Sequence, residues 1–529
     1  MEKKIIQVDE KVPVKMLIPL SLQHMFAMFG ASVLVPFLFG ISPAIVLLMN
    51  GVGTLVFIVV TKGKAPAYLG SSFAFLVPAG LVIEKFGYQY ALGSFVAIGF
   101  GGIIVALIIR KFGTKWIHIV LPTAAMGPVV ALIGLELAGN AASNAGLLDE
   151  VIDPKNVIVF LVTLGVAVFG QILFRGFLGV IPILIAIISG YVAAAACGIL
   201  DFTEVVQASF FALPNFQYPK FNLEAIMTVF PALLLVVSEH IGHQVVTSEI
   251  IGRDLLKEPG LHRTLFGDFF STMLSGLVGS VPTTTYGENI GVMAMTGVYS
   301  VQVIGGAAVL SICCSFLGKL SALISTIPGP VIGGVSFLLY GMIGTSGIRL
   351  LVDGKVDYSR SRNLVLTSVV FVTGLSGIAL KIGNVEMTGM VLACVVAMAM
   401  SLVFYILDKF GLDIQQKKGK CPGYYIGARD FELPELKLLV DAVQSSKFIT
   451  EKKSKELIQK LEKLCCKTDA EMLSRYVFIV NRPKTENETV YYNVDYIHTA
   501  IYENKQIKFH YAEWTVKKEL KFKKNGAFY

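Results

Sequence analysis

The stretch VPTTTYGENIGVMAMTG, residues 281–297, decides how this chain is read. It is apolar enough for a membrane interior, yet it opens on Pro and three threonines and is interrupted by glycines, so it is too short and too broken for a plain spanning helix. The β-branched run Thr283–Thr285 favours extended backbone. A strand-to-helix switch is therefore expected around Tyr286 and Gly287, with a half-helix beginning near Asn289 that aims its N–H groups and positive dipole end at the space before it. A second stretch, APAYLGSSFAFLVPAG at residues 65–80, has the same broken character. Backbone that leaves helix at membrane depth is tolerated only where protein or a watery cavity surrounds it, and paired interrupted segments in two halves of a chain point to a transporter's binding site.

The rest of the chain fits that setting. Of 529 residues 54% are hydrophobic and only 16% charged, with mean hydropathy +0.69, whereas a soluble chain carries roughly a quarter charged residues. The charges are uneven: the first 412 residues hold about 23 Lys/Arg and 21 Asp/Glu, the last 117 about 22 and 16, so a lipid-embedded part is followed by a water-exposed one. The seven cysteines show neither metal-ligand spacing nor a disulfide framework, and we read them as reduced. The charged start MEKKIIQVDEKVPVK lacks a cleavage pattern and reads as a cytoplasmic lead-in of residues 1–15.

Apolar stretches fall at about 16–40, 43–61, 66–83, 90–110, 117–138, 156–176, 178–198, 223–247, 265–280, 283–296, 299–318, 324–346, 363–381 and 387–407, many near the ~20 residues that cross hydrocarbon. The fold class expected is an all-α polytopic membrane protein of about 14 transmembrane segments, with two short broken strand-helix segments and a small α+β soluble tail. An even count places both termini on one side, and with the N-terminus inside about 18 of the 23 basic residues in this part fall inside. His24 precedes Ser72 by 48 positions and Glu239 precedes Tyr286 by 47, so the chain reads as two seven-span repeats, about 16–198 and 223–407. An odd number of spans per half makes the repeat inverted.

Ionisable groups inside apolar spans are costly, by about 2.5–3.5 kcal/mol on insertion scales, which makes each one a functional candidate. The eighth span, FPALLLVVSEHIGHQVVTSEI, places Glu239, His240, His243, Gln244 and Glu249 on one helix, with Glu239 and His243 on one face. A carboxylate there can accept N–H groups of a flat ring and an imidazole can hold or pass a proton, or the two can merely satisfy each other between helices. Glu288 and Asn289 follow Tyr286 and Gly287; Glu288 either faces a ligand or only caps its helix. Gly70-Ser71-Ser72-Phe73 offers backbone N–H groups and a ring face, unless Phe73 is packing. Gln23 and His24 occupy the repeat-equivalent place to Glu239 and His240; His24 is either a satisfied core residue or part of the site. Glu136 reads as interfacial and structural. No Walker motif, dinucleotide loop, HExxH or nucleophile elbow occurs. No enzyme activity, cofactor or metal is expected, and uphill movement of a substrate would have to come from ion coupling.

At these residues the chain resembles a known family. SLQHMFAMFGASVLVPFLFGI, GSSFAF, SEHIGHQ and TTYGENIGVMAMTGVYS followed by VIGGAAV are similar to bacterial uracil permeases of the nucleobase–ascorbate transporter (uracil/xanthine permease) family over about residues 10–410, with the signature matched by Glu288, Asn289, Gly291 and Thr296. The resemblance implies a proton symporter of the bacterial cytoplasmic membrane, multi-pass with both termini cytoplasmic. It also implies a core domain moving against a gate domain within residues 16–410, and commonly a homodimer. Its partners would be a nucleobase, proton and membrane lipid, with no nucleic acid for the transporter. By that resemblance Glu239 and Glu288 bind the base, Phe73 and Gly287 add backbone contacts and Tyr286 packs beside it. His243, Glu239 and His24 would serve proton coupling. Uracil is the expected substrate; a xanthine or purine permease of the same family, a sulfate-permease-like anion transporter and a membrane-tethered transcriptional sensor are the alternatives. Gly297 stands where uracil-type members often carry Arg.

Beyond a polar linker, 411–422, residues 423–529 resemble part of bacterial WYL-domain transcriptional regulators, lacking the DNA-reading helix-turn-helix. ELPELKLLVDAVQSSKF and the stretch from Thr450-Glu451 have helical spacing, and Tyr476–Val480 and Gln506–Tyr511 read as strands. The tail's basic surplus would attract anionic lipid or nucleic acid weakly.

Overall fold

A computed structural model of the chain describes residues 5–176, 178–382 and 385–409. Beyond these it describes 414–417, 423–426, 431, 433–464, 470, 473, 484–486, 489–517 and 519–523. The chain divides into two units, Met1–Tyr405 and Ile406–Tyr529.

In the first unit the elements run α1 (Val14–Ala27), α2 (Phe29–Phe39), α3 (Pro43–Val60), β1 (Leu69–Ser71), α4 (Leu76–Phe86), α5 (Tyr88–Phe112), α6 (Thr123–Glu136), α7 (Pro154–Leu173) and α8 (Pro182–Ala196). The second half repeats the order: α9 (Leu223–Val229), α10 (Pro231–Ile251), α11 (Leu261–Val278), β2 (Thr283–Thr285), α12 (Gly287–Thr296), α13 (Val301–Ser315), α14 (Gly329–Asp353), α15 (Ser361–Leu375) and α16 (Gly389–Lys409). Among the described residues eight helical stretches are long and apolar enough to cross a membrane, and three shorter apolar helices accompany them. α9 and α10 are one apolar stretch broken at Phe230, directly before Pro231, whose ring removes a backbone donor.

Packing carries the repeat. α3 packs on α13 as α11 packs on α5, and α1 packs on α13 as α9 packs on α5. Likewise α14 packs on α7 as α15 packs on α6, and each short strand lies against the second span of its own half, β1 on α3 and β2 on α11. Exchanging the halves leaves these pairings unchanged. They form two sets, α1–α5 with α9–α13, and α6–α8 with α14–α15.

Within the second set α6 and α14 cross backbone to backbone. A Cβ on Gly347 would come 2.3 Å from Ala131 N and 2.5 Å from Gly127 O, so only glycine fits there. Inserted bulk costs about 1–3 kcal/mol in a packed interior. Gly347→Leu should therefore lower the melting temperature in detergent by several degrees, while Gly341→Leu on the same helix, with nothing within 4 Å of its Cβ, should leave it unchanged. Equal melting of the two variants would refute the close crossing. Glu136 has the structural place expected of it: its Oε2 accepts the Met390 N–H at 2.9 Å at the start of α16.

The second unit contains helices Leu433–Ser445, Glu451–Glu462 and Thr489–Tyr502. Thr450 Oγ1 accepts the Lys453 N–H at 3.2 Å, so Thr450 caps the second of them, as its position before Glu451 suggests. Two expectations change here. The polar linker contains a strand, Ile414–Lys417, paired antiparallel with Gly423–Ile426. No named strand forms over residues 506–511; instead Ala512–Trp514 pairs antiparallel with Leu520–Phe522, and Thr515 N–H donates to Glu519 O at 2.9 Å. The expected strand at 476–480 lies outside the described residues. Cys197, Cys313, Cys314 and Cys394 are free thiols; the other three cysteines lie outside the described residues.

Candidate substrate-binding site

The two broken segments meet. β1 and β2 pair antiparallel with Gly70 opposite Thr284 and Ser71 opposite Thr283, and Ser72 N–H and Tyr286 N–H extend the crossing to Pro282 O (2.9 Å) and Tyr68 O (3.1 Å). Antiparallel strands send the helices that follow them in opposite directions, which is the geometry an inverted repeat requires. A two-stranded sheet at membrane depth has open edges that water cannot satisfy. Threonines on the flanking helices do so: Thr54 Oγ1 accepts the Leu69 N–H at 2.9 Å. Thr272 Oγ1 accepts from Thr283 N–H (3.2 Å) and donates to Thr283 O (2.7 Å).

The switch from strand to helix falls where the Tyr286-Gly287 reading places it, and α12 starts at Gly287, two residues ahead of Asn289. Gly287, Glu288 and Gly291 are exposed on one face of α12. The half-buried Glu239 and His243 on α10 border that face: a Cβ built on Gly287 would lie 3.3 Å from His243 Nε2. Asp268 and Glu288 both lie within electrostatic reach of Glu239. Among the described residues no salt bridge or side-chain partner engages Glu239 or Glu288, which leaves both carboxyl groups able to receive N–H donors from a ligand. Phe73, half-buried, opens the 3-10 turn Phe73–Phe75 after β1. Tyr286 is buried, its hydroxyl donating to Ser71 O at 2.7 Å.

The histidines are held in a chain. His243 Nδ1 lies 3.1 Å from Thr285 Oγ1 and His240 Nδ1 lies 3.3 Å from the same hydroxyl. His240 Nδ1 is also 3.3 Å from Asp268 Oδ2, which accepts from Thr284 Oγ1 at 3.3 Å. One hydroxyl can donate to only one of the two rings while its oxygen can accept from the other, so Thr285 links the Nδ1 atoms of His240 and His243, and His243 Nε2 is the ring nitrogen nearest Gly287. Of the two readings of Glu239 and His243, the one in which they merely satisfy each other is not what forms: the side-chain bond of His243 is to Thr285.

The other candidates divide. His24 joins the second half: Asn289 Nδ2 lies 3.1 Å from His24 Nδ1 and donates to His24 O at 3.0 Å, both residues buried. Thr296 Oγ1 donates to Val292 O (2.8 Å) and accepts from Val298 N–H (3.2 Å), so it closes the end of α12 away from Glu288. Asp268 is the residue the sequence reading missed. It is a fully buried acid in an otherwise apolar part of α11, and the rule that singled out Glu239 applies equally to it. Among the described residues no cluster of three or more His, Cys, Asp or Glu is fit to hold a metal ion.

A site at crossed strand-helix segments, roofed by spans from both halves, defines a multi-pass membrane protein with a transporter fold. The chain belongs to the permease family, whose pattern matches residues 15–383. It is 55% identical over 415 residues to a uracil permease of Paenibacillus larvae, covering 77% of this chain and 99% of that one. Over 411 residues it is 53% identical to the uracil permease of Escherichia coli K12, covering 77% and 96%. Over 398 residues it is 47% identical to that of Bacillus subtilis 168, covering 72% and 91%. Its fold is similar to the transmembrane domain of a cyanobacterial bicarbonate transporter (TM-score 0.52, 16% identity, covering 75% of this chain and all of that one). It is also similar to a murine anion transporter of solute carrier family 26 in its inward-facing state (TM-score 0.60, 10% identity, covering 94% and 89%).

Proposed function

We propose that this chain is a proton-coupled nucleobase symporter of the bacterial cytoplasmic membrane and that uracil is its substrate. The observation that carries the reading is the approach of Glu239 and Glu288, both free of side-chain partners among the described residues, at the crossing of β1 and β2. Two carboxyl groups receive a flat ring rich in N–H donors; they would repel an anion, so the likeness to anion transporters extends to the fold alone. The high identity to uracil permeases supports uracil as the base.

Proton coupling is assigned to Glu239, His243 and His24, joined to the site by Thr285 and Asn289. Counted with α11 and the two strand-helix segments, every one of the fourteen segments read from the sequence has a counterpart, which supports two inverted seven-span repeats with both termini cytoplasmic. The two packing sets are suited to an elevator motion in which the set carrying the site, the core, slides against the other, the gate. We place the transporter at residues 16–410 and assign it a homodimer. Residues 411–422 are assigned as linker and 423–529 as a partial WYL-regulator-like tail.

The test is radiolabelled uracil uptake into proteoliposomes with and without an inward proton gradient, in competition with xanthine, hypoxanthine, thymine and sulfate. Gradient-driven uptake blocked only by close pyrimidines is the expected result. Uptake blocked by a purine instead would move the substrate within the family, and competition by sulfate would overturn the site assignment.

A further inference from the structure

The N-terminal residues ahead of α1 are not a loose lead-in. Ile6 bridges Val298 in parallel, its N–H donating to Gly297 O at 2.9 Å and its carbonyl accepting the Tyr299 N–H at 2.8 Å. The ladder continues with Val301 N–H to Val8 O at 3.1 Å, then Ser300 Oγ to Glu10 O at 2.8 Å, and Val12 N–H to Gln302 Oε1 at 3.2 Å. This run covers the whole connection between α12 and α13. The run is extended at Ile6 and turns at Val8 and Asp9, Glu10 N–H donating to Gln7 O at 3.1 Å; Ile6 and Val8 are buried, and Asp9 reaches outward to Arg253, Nη1 to Oδ2 2.6 Å. Arg253 lies two residues beyond the end of α10, the helix of Glu239. Val8, only 2% exposed, belongs to one apolar cluster with Ile251 at the end of α10, Leu255 beyond it, Ile290 and Met293 of α12, and Phe57 of α3.

We propose that residues 6–12 are a strap that positions the binding half-helix, with Val8 and the Asp9–Arg253 pair as positioning residues for Glu288 and Glu239. α12 has ten residues and so is about 15 Å long; Glu288 stands at one end and the strap is bonded at the other. A helix this short has no length of its own to fix its tilt, so the bonds at its far end set where Glu288 lies. Because the same strap grips the end of α10, it fixes the spacing of the two carboxyl groups. The strap therefore travels with the site-bearing set through the whole cycle and never releases. The proposal rests on the uracil reading for its transport measurement but not for its structural one.

The ion pair is exposed on both sides, 42% and 62%, so it adds little to stability and its variants should fold. Asp9→Arg and Arg253→Asp alone should each raise the KM for uracil roughly threefold or more with Vmax per folded transporter kept, the signature of altered site geometry. The double swap should restore KM. Unchanged KM in the single variants, or no restoration in the double, would overturn the positioning role. The second arm pairs Ile6→Cys with Val298→Cys in the full chain; the bridged backbone places these Cα atoms within disulfide range. Oxidation should give the linked peptide by mass spectrometry, and uptake should persist in the linked protein. No link, or a link that stops uptake, would show that the strap is absent or must release, and either overturns the proposal. A parent chain inert toward uracil while the link still forms would fail the substrate reading alone.

Discussion

Glu239→Gln is expected to lower Vmax/KM for uracil in proteoliposomes by about 100-fold or more, with the protein still folded and inserted. The carboxyl group at 239 is half-buried, and no side chain among the described residues competes for it. A carboxylate offers acceptors only, so two ring N–H groups can both be met. The Gln amide keeps shape but replaces one acceptor by an NH2 donor, which faces a ring donor and leaves both unpaired. Hydrogen bonds to charged groups contribute about 1.5–3 kcal/mol, and a buried donor left without a partner costs about 1–3 kcal/mol more. At 1.4 kcal/mol per tenfold the sum, about 2.5–6 kcal/mol, corresponds to roughly 60-fold to more than 10,000-fold, with 100-fold near its lower end. Glu288→Gln should do the same from the α12 side. Glu239→Asp keeps the chemistry but withdraws it by one methylene, and should retain measurable uptake with raised KM. Normal uracil transport by both Gln variants would remove these residues from the site.

The two broken segments were legible because their chemistry is local: β-branched Thr283–Thr285 ahead of Tyr286 and Gly287 specify a strand turning into a helix whatever surrounds them. Glu239, His243 and Glu288 were legible because ionised groups stand out against apolar spans. What surrounds them was not. His243 bonds to Thr285, 42 residues away, and His24 pairs with Asn289 across 265 positions; such partners come from the crossing of the strands, which no local pattern encodes. The strap escaped in the same way. Its buried Ile6, Val8 and Val12 are few and set about the charged run Asp9, Glu10 and Lys11, and their partners, such as Gln302 at 290 positions from Val12, are ones no local pattern encodes. Asp268 was within reach of the sequence rule and shows that one rule must be applied to every span.

Gly70→Val should abolish uracil uptake, and Gly70→Val with Tyr286→Ala should restore part of it. Gly70 is the centre of the crossing, opposite Thr284. A Cβ there would lie 2.6 Å from Tyr286 Cε2, 2.9 Å from Cδ2 and 3.2 Å from Met28 Cε, and valine adds two methyl groups beyond it. The ring cannot yield by a small shift, because its hydroxyl is bonded to Ser71 O and its backbone N–H to Tyr68 O, so strand and ring must separate. Tyr286 is the residue from which α12 departs, and displacing it moves Glu288, two residues on, by about the size of the intruding side chain. Misplacing a binding group by ~1 Å can cost 100-fold, while overpacking itself costs about 1–3 kcal/mol of stability. The double variant separates these effects: removing the ring clears the space, so if the clash alone is responsible the two changes are strongly non-additive. Uptake that stays abolished in the double would mean that relief of the clash does not suffice and would overturn the assignment of the loss to the Gly70–Tyr286 contact.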